Sequence, residues 1–370
     1  MLNKEKLSVL NIAVLCVIFF SCSSQEYTTA KLAIQQQDFV KAAEWLPKAM
    51  AIEPNNPEIP VIMGVEIHAK DREWKKMHDM FEQALSIDNG KEIEVRGRYI
   101  TVKKAVEDWR DHLWSNEFNK GVEEYRKINN DIENKEQYIK TAIQYFQDAI
   151  LIKPSEAQTY STISKMYYEI GDNQAAKEAA LISVQKNPES FDENFNAGQI
   201  ISRAGGTKDQ VLALYEKAVT IKPSSSKALR ELASLYYDMG NKEKSIMVFE
   251  NAIKNEEDKI VKADLFFNLG VIHTQMQNYS EAEKAFEEAH FLNEEDFEAA
   301  LGIASSYEGL GDKYFNGSDG FEKDSDEASR WYRKAQKKIK SVMMVDTDNN
   351  AKYKKQLELL RYKRDVADGK

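Results

Sequence analysis

Apolar residues recur three and four positions apart along most of this chain, in blocks of about a dozen divided by short polar turns. Such offsets return to one face of an α-helix, so each block predicts a helix with one buried stripe. Ala, Glu, Lys, Leu and Tyr recur where a β-rich chain would alternate Val and Thr, which again favours helices. The amino terminus follows another rule. Residues 7–20 form an apolar run interrupted at Ser8 and Asn11, preceded by Lys4 and Lys6 and followed by Ser21, Cys22, Ser23 and Ser24. As a helix the run would rise about 21 Å, against about 30 Å of hydrocarbon. It is short for a permanent span and predicts a cleaved secretory leader, residues 1–21.

The blocks come in pairs, several of them at or near a 34-residue period. The clearest pair lies in Ala263–Phe297, "ADLFFNLGVIHTQMQNYSEAEKAFEEAHFLNEEDF". Phe266, Leu269, Gly270 and His273 share one face of the first helix, and Gly270 leaves room for the second to approach. Asn278 is placed to cap that second helix, on which Ala282, Phe286 and Ala289 form a small–large–small face. This unit resembles a tetratricopeptide repeat (TPR), with His273 standing where tyrosine is usual. Counting this unit, the resemblance appears eight times. Its marks include Ala42, Leu46 and Ala49; Met63-Gly64, Trp74 and Phe81; Phe118, Gly121, Ala142 and Phe146; and Tyr160, Tyr167 and Gly171. They continue with Ala197-Gly198 and Tyr215; Leu232, Tyr236 and Phe249; and finally Tyr307, Gly311, Ala328, Tyr332 and Ala335.

The resemblance implies an all-α fold: a right-handed TPR superhelix (alpha-solenoid) of about eight helix pairs with a C-terminal capping helix. No pair buries its apolar face alone, so stacking must do so. The expected organisation is an N-terminal TPR pair over 22–89 and an irregular TPR with an extra helix over 90–154. A TPR array follows over 155–345, with an insertion near 313–325, then a basic capping helix and tail over 346–370. Pro47 falls inside a second helix and should kink it. The segment 91–110 reads as an extra or lengthened helix.

"FFSC" resembles the lipobox of bacterial lipoproteins, which implies cleavage before Cys22 and lipid attachment to it. Cys16 falls in the leader, so Cys22 would be the lone cysteine of the mature chain and has no partner for a disulfide. Ser23 after the cysteine resembles an outer-membrane rather than an inner-membrane sorting signal. The expected location is the cell envelope, lipid-anchored and facing the periplasm.

Composition narrows the function. Net charge is −10 and the sequence pI about 5.3, which speaks against a general nucleic-acid binder. From Arg330 to Lys370, however, thirteen basic residues face five acidic ones. That end is either a solvated cap or a surface for lipid phosphate, an acidic partner or another copy. No catalytic or cofactor-binding set is legible. The five histidines form no His-x-x-x-His pair, and no glycine-rich loop follows a strand. "DTDNN" (346–350) lacks the glycine and glutamate of a calcium loop and reads as a helix cap. "NGSDGFEKDSDE" reads as a solvated loop, and the five tryptophans as packing. The expectation is therefore no enzyme, no cofactor and no metal.

In TPR proteins the first helices line a concave groove for a peptide or partner helix. The residues aimed there are expected to be Tyr168, Phe195, Asn196, Lys227, Arg230, Tyr237, Phe267 and Asn268. Asn can pair with an extended backbone, Lys227 and Arg230 with a carboxylate. The bland reading is that these residues only bridge neighbouring repeats. The main expectation is a membrane-anchored protein-binding scaffold in envelope or outer-membrane assembly, with homo-oligomers possible. Two alternatives stand beside it: a glycan-acting enzyme using Glu169, Asp238 or Glu308, and lipid-surface or polymer binding through the basic end.

Overall fold

The computed structural model describes residues 23–95, 97–346 and 348–370. The leader and Cys22 lie outside the described residues. The chain divides into two compact units at Ser155/Glu156.

The first unit contains α1 (Gln25–Gln35), α2 (Phe39–Ile52), α3 (Glu58–Met63), which runs on into a π-helical turn (Gly64–Ala69), and α4 (Trp74–Asp88). A two-stranded antiparallel hairpin follows, β1 (Glu92–Val95) on β2 (Arg98–Thr101), then α5 (Val102–Arg126), a short 3₁₀ turn and α6 (Lys135–Ile152). Local chemistry fixes the starts. Ser24 Oγ accepts from the Tyr27 amide at 3.1 Å, and Asp38 from that of Lys41 at 3.0 Å. Tyr27, Ala30 and Ala33 of α1 bury against Ala42, Leu46 and Ala49 of α2. Pro47, where a kink is expected, lies inside a helix that continues to Ile52.

The segment 91–110 corrects the helical reading. Its second half is the start of an unusually long α5, but residues 92–101 are the hairpin. Ile93 pairs with Ile100 and is buried among Val61, Val65 and Val106. Glu94 and Tyr99 take the opposite, exposed face, as a strand's two-residue period demands. Between the π-helical turn and α4, Arg72 stands at φ 57° and binds Glu117 through both guanidinium NH₂ groups, at 3.2 and 2.6 Å. Glu117 is buried, so this pairing offsets the cost of taking its charge from water.

The second unit stacks five consecutive pairs: α7 (Ala157–Glu169) with α8 (Asn173–Lys186), α9 (Phe191–Arg203) with α10 (Lys208–Ile221), and α11 (Ser226–Asp238) with α12 (Lys242–Asn255). Then come α13 (Lys259–Gln275) with α14 (Tyr279–Leu292) and α15 (Phe297–Asn316) with α16 (Ser325–Met343). The final α17 (Asn350–Ala367) packs on α16. Asp172, Thr207 and Asn241 cap second helices, with Thr207 and Gln210 forming a reciprocal capping box. Asn278 occupies the cap position of α14, but its side chain makes no capping bond. The insertion is shorter than its sequence suggests. Helix α15 carries on to Asn316, and the loop folds back so that Phe321 meets Tyr314 edge-on at 4.9 Å.

Close approach within pairs rests on glycine. A Cβ on Gly270 would lie 2.8 Å from the Phe286 ring, and one on Gly198 2.5 Å from Tyr215. In each, the aromatic of the second helix sits where the first has no side chain. The first unit repeats the contact at Gly64–Phe81 and Gly121–Phe146.

Candidate functional site

Helix α7 packs against α9, as α13 does against α15, so the first helices of these successive pairs are neighbours. Between these two lies a cavity of about 470 Å³. One wall is Glu156, at the cap of α7, with Gln158, Ser161, Thr162 and Lys165, and the α9 wall is Asp192, Glu193 and Asn196. The spacing explains the wall: 158, 161, 162 and 165 return to one face within two helical turns.

The predicted residues divide between lining and packing. Asn196 does line the cavity and donates to Ser161 Oγ across the two helices at 3.4 Å. Lys227 is exposed on α11, its ammonium 4.8 Å from the Phe195 ring centre and 5.3 Å from that of Phe191. Those two rings stack, 5.6 Å apart and nearly parallel. Arg230 is half-buried and comes within 3.9 Å only of Glu231, its own neighbour.

Phe195 itself is corrected. At 5% exposure it belongs to the core, against Tyr215. Its contribution to the face is a ring surface beneath Lys227. Tyr168 and Tyr237 are half-buried and pack onto neighbouring apolar clusters. Phe267 meets Phe286 edge-on at 5.6 Å, and Asn268 donates to the Asp264 carbonyl on its own helix at 2.8 Å. For these four, packing within and between pairs accounts for the contacts seen. Cys22 lies outside the described residues.

Lys165 is the residue the sequence reading missed. Its position on the α7 face shared with 158 and 161 was the available signal. Desolvation pushes its ammonium pKa down, Lys227 adds to that push, and Asp192 and Glu193 oppose it. None of the described carboxylates lies within ion-pair distance of it. The cavity thus sets one lysine among three carboxylates, Glu156, Asp192 and Glu193, beside amide and hydroxyl groups. Such a set can pair with the carbonyl and N–H groups of an extended backbone.

Residues named for other chemistry resolve differently. Glu308 pairs with Lys363 at 2.7 Å, and the Asp238 side chain is exposed. His273 sits in its packing position, with burial lowering its pKa and no partner at Nδ1. Asp346 accepts from Tyr353 and Asn349, tying down the first turn of α17. Among the described residues no cluster of His, Cys, Asp and Glu is arranged for a metal ion. No described helix is long and apolar enough to cross a membrane.

Two models of the tetratricopeptide repeat match the chain, at residues 227–259 and 263–296. No curated protein matches it. Among solved structures, the MamA protein is 21% identical, covering 52% of this chain and 97% of that one, with a TM-score of 0.42. YrrB, described as a TPR protein with an unusual peptide-binding site, is 17% identical over 53% of this chain and 94% of its own, at TM-score 0.42. The C-terminal part of a TPR repeat-containing protein from Cytophaga hutchinsonii is 16% identical, covering 70% of this chain and 92% of that one, at TM-score 0.44.

Proposed function

We propose that this chain, whose residues 227–259 and 263–296 match models of the tetratricopeptide repeat, is a non-enzymatic scaffold. Its second unit holds a peptide segment of another protein against α7, α9 and α11. The observation that carries this reading is the cavity between α7 and α9, where Lys165 stands among Glu156, Asp192 and Glu193 and Asn196 turns its amide to the same space. Asn196 and Lys165 serve an extended backbone, and the Lys227-covered aromatic pair an apolar flank. We further propose that the scaffold is lipidated at Cys22 and faces the periplasm, most simply from the outer membrane, where it serves envelope assembly. The support for this part is the leader, the "FFSC" junction and the single cysteine left beyond the leader.

A photoreactive residue at Thr162, on the cavity wall, tests the binding face in intact cells. One specific protein should be crosslinked, and Lys165→Glu with Lys227→Glu should reduce its recovery about tenfold or more, the loss of two charge-assisted contacts. Equal recovery from the charge-reversed chain would reject this face. Anchoring is tested separately: fatty-acid label should enter the wild type and not Cys22→Ala.

A further inference from the structure

We propose that the outward face of α17, with Met344 and Val345, forms a docking surface for an anionic lipid bilayer, a role separate from the binding face on α7, α9 and α11. Helix α17 has two faces. Tyr353, Leu360 and Ala367 bury against α16 and close the apolar cluster there. Lys352, Lys355, Leu359, Tyr362 and Val366 follow at offsets of three and four and form a second stripe. That stripe is open to solvent: Leu359 is 50% exposed, Tyr362 68% and Val366 40%. The loop into α17 adds Met344 at 78% and Val345 at 66%. Adjacent exposed apolar residues at a helix end are unusual where neighbouring surface is strongly charged.

Charge selects the occupant. Lys340, Lys352 and Lys355 are exposed, and no carboxylate lies within ion-pair distance of them among the described residues. Glu358 and Asp365 lie beside the stripe, and Asp346 and Asp348 in the segment before it, against thirteen basic residues from Arg330 onward. A second copy docked by the same face would set these lysines against their own equivalents, which is repulsive. A soluble polyanion would satisfy the lysines but leave Met344, Val345 and Leu359 in water. An anionic bilayer interface satisfies both. Apolar tips enter the headgroup boundary, lysine stems run along it with their ammonium groups at phosphate level, and a tyrosine ring suits that depth.

The test is cosedimentation of the full chain with vesicles of phosphatidylcholine alone or mixed with phosphatidylglycerol. The apolar run 7–20 is common to every variant, and the neutral vesicles measure its contribution. Wild type should partition preferentially to the anionic vesicles. Lys352→Glu with Lys355→Glu should remove that preference by about tenfold or more, since each basic residue near such a surface is worth about fivefold. Met344→Ser, Val345→Ser and Leu359→Ser together should lower it comparably. All five positions are exposed, so unchanged far-ultraviolet dichroism and melting should accompany the loss. Equal partition to both vesicle types overturns the proposal. So does loss with the lysine pair but not the apolar set, which would indicate polyanion binding. A change in the free protein's own sedimentation on serine substitution would indicate self-association and overturn it too.

Discussion

At Gly270 two effects of known sign oppose each other. Replacing a glycine inside a helix by alanine normally gains about 1 kcal/mol of helix propensity. Here the added methyl would stand 2.8 Å from the Phe286 ring, and the ring cannot retreat, because it lies equally tight against Gly302 of α15. Overpacking of this kind costs about 1–3 kcal/mol. Gly270→Ala is therefore expected to lower stability, by up to about 2 kcal/mol net. In a Phe286→Ala background the same change should become stabilising, because the steric opponent has gone. Denaturant titration of the four chains checks this cycle, and an unchanged sign across backgrounds would show that the contact does not decide the residue.

Elements show where the sequence was readable. The eight pairs were legible because glycine, alanine and aromatic residues in them mark helix-to-helix contacts at fixed spacing. The hairpin was missed although it has its own signal. Glu92-Ile93-Glu94-Val95 and Arg98-Tyr99-Ile100-Thr101 alternate, and Gly97, at φ 77°, lies between them where the chain reverses. Four-residue strands are short enough to be absorbed into the strong helical period on either side. The binding face was half legible for a related reason. Helical spacing says which residues share a face, but not how far an aromatic sinks, so Phe195 was placed on the surface and Lys165 overlooked. The hairpin is part of its unit's core, and this has a consequence. Ile93 is 3% exposed whereas Tyr99 is 70% exposed. Ile93→Ala should cost about 2–5 kcal/mol and Tyr99→Ala no more than about 0.5 kcal/mol. Thermal melts followed by tryptophan fluorescence measure both. Equal small effects would mean that the hairpin only decorates the surface.

On the scale of the stack, stability is a matter of neighbours. Each pair in the second unit buries apolar surface against the next, and the last pair has α17 in place of another repeat. The inner face of α17 covers Tyr332, Ile339 and Val342 of α16, and Lys363 reaches past them to Glu308 and Asp312 of α15 at 2.7 and 2.8 Å. Asp368 accepts from Ser329 and Arg333, fastening the far end. Removing 346–370 would expose that apolar face and strand two carboxylates beside the Tyr332 hydroxyl, which already donates to Asp312. Contacts pass only between adjacent layers, so the damage should fade with distance from the cut. Amide exchange in the truncated chain should accelerate strongly in α15 and α16, less in α13 and α14, and hardly in α7 to α10. A uniform acceleration would show that the second unit unfolds as one cooperative block, and no acceleration would show that α17 is not its cap.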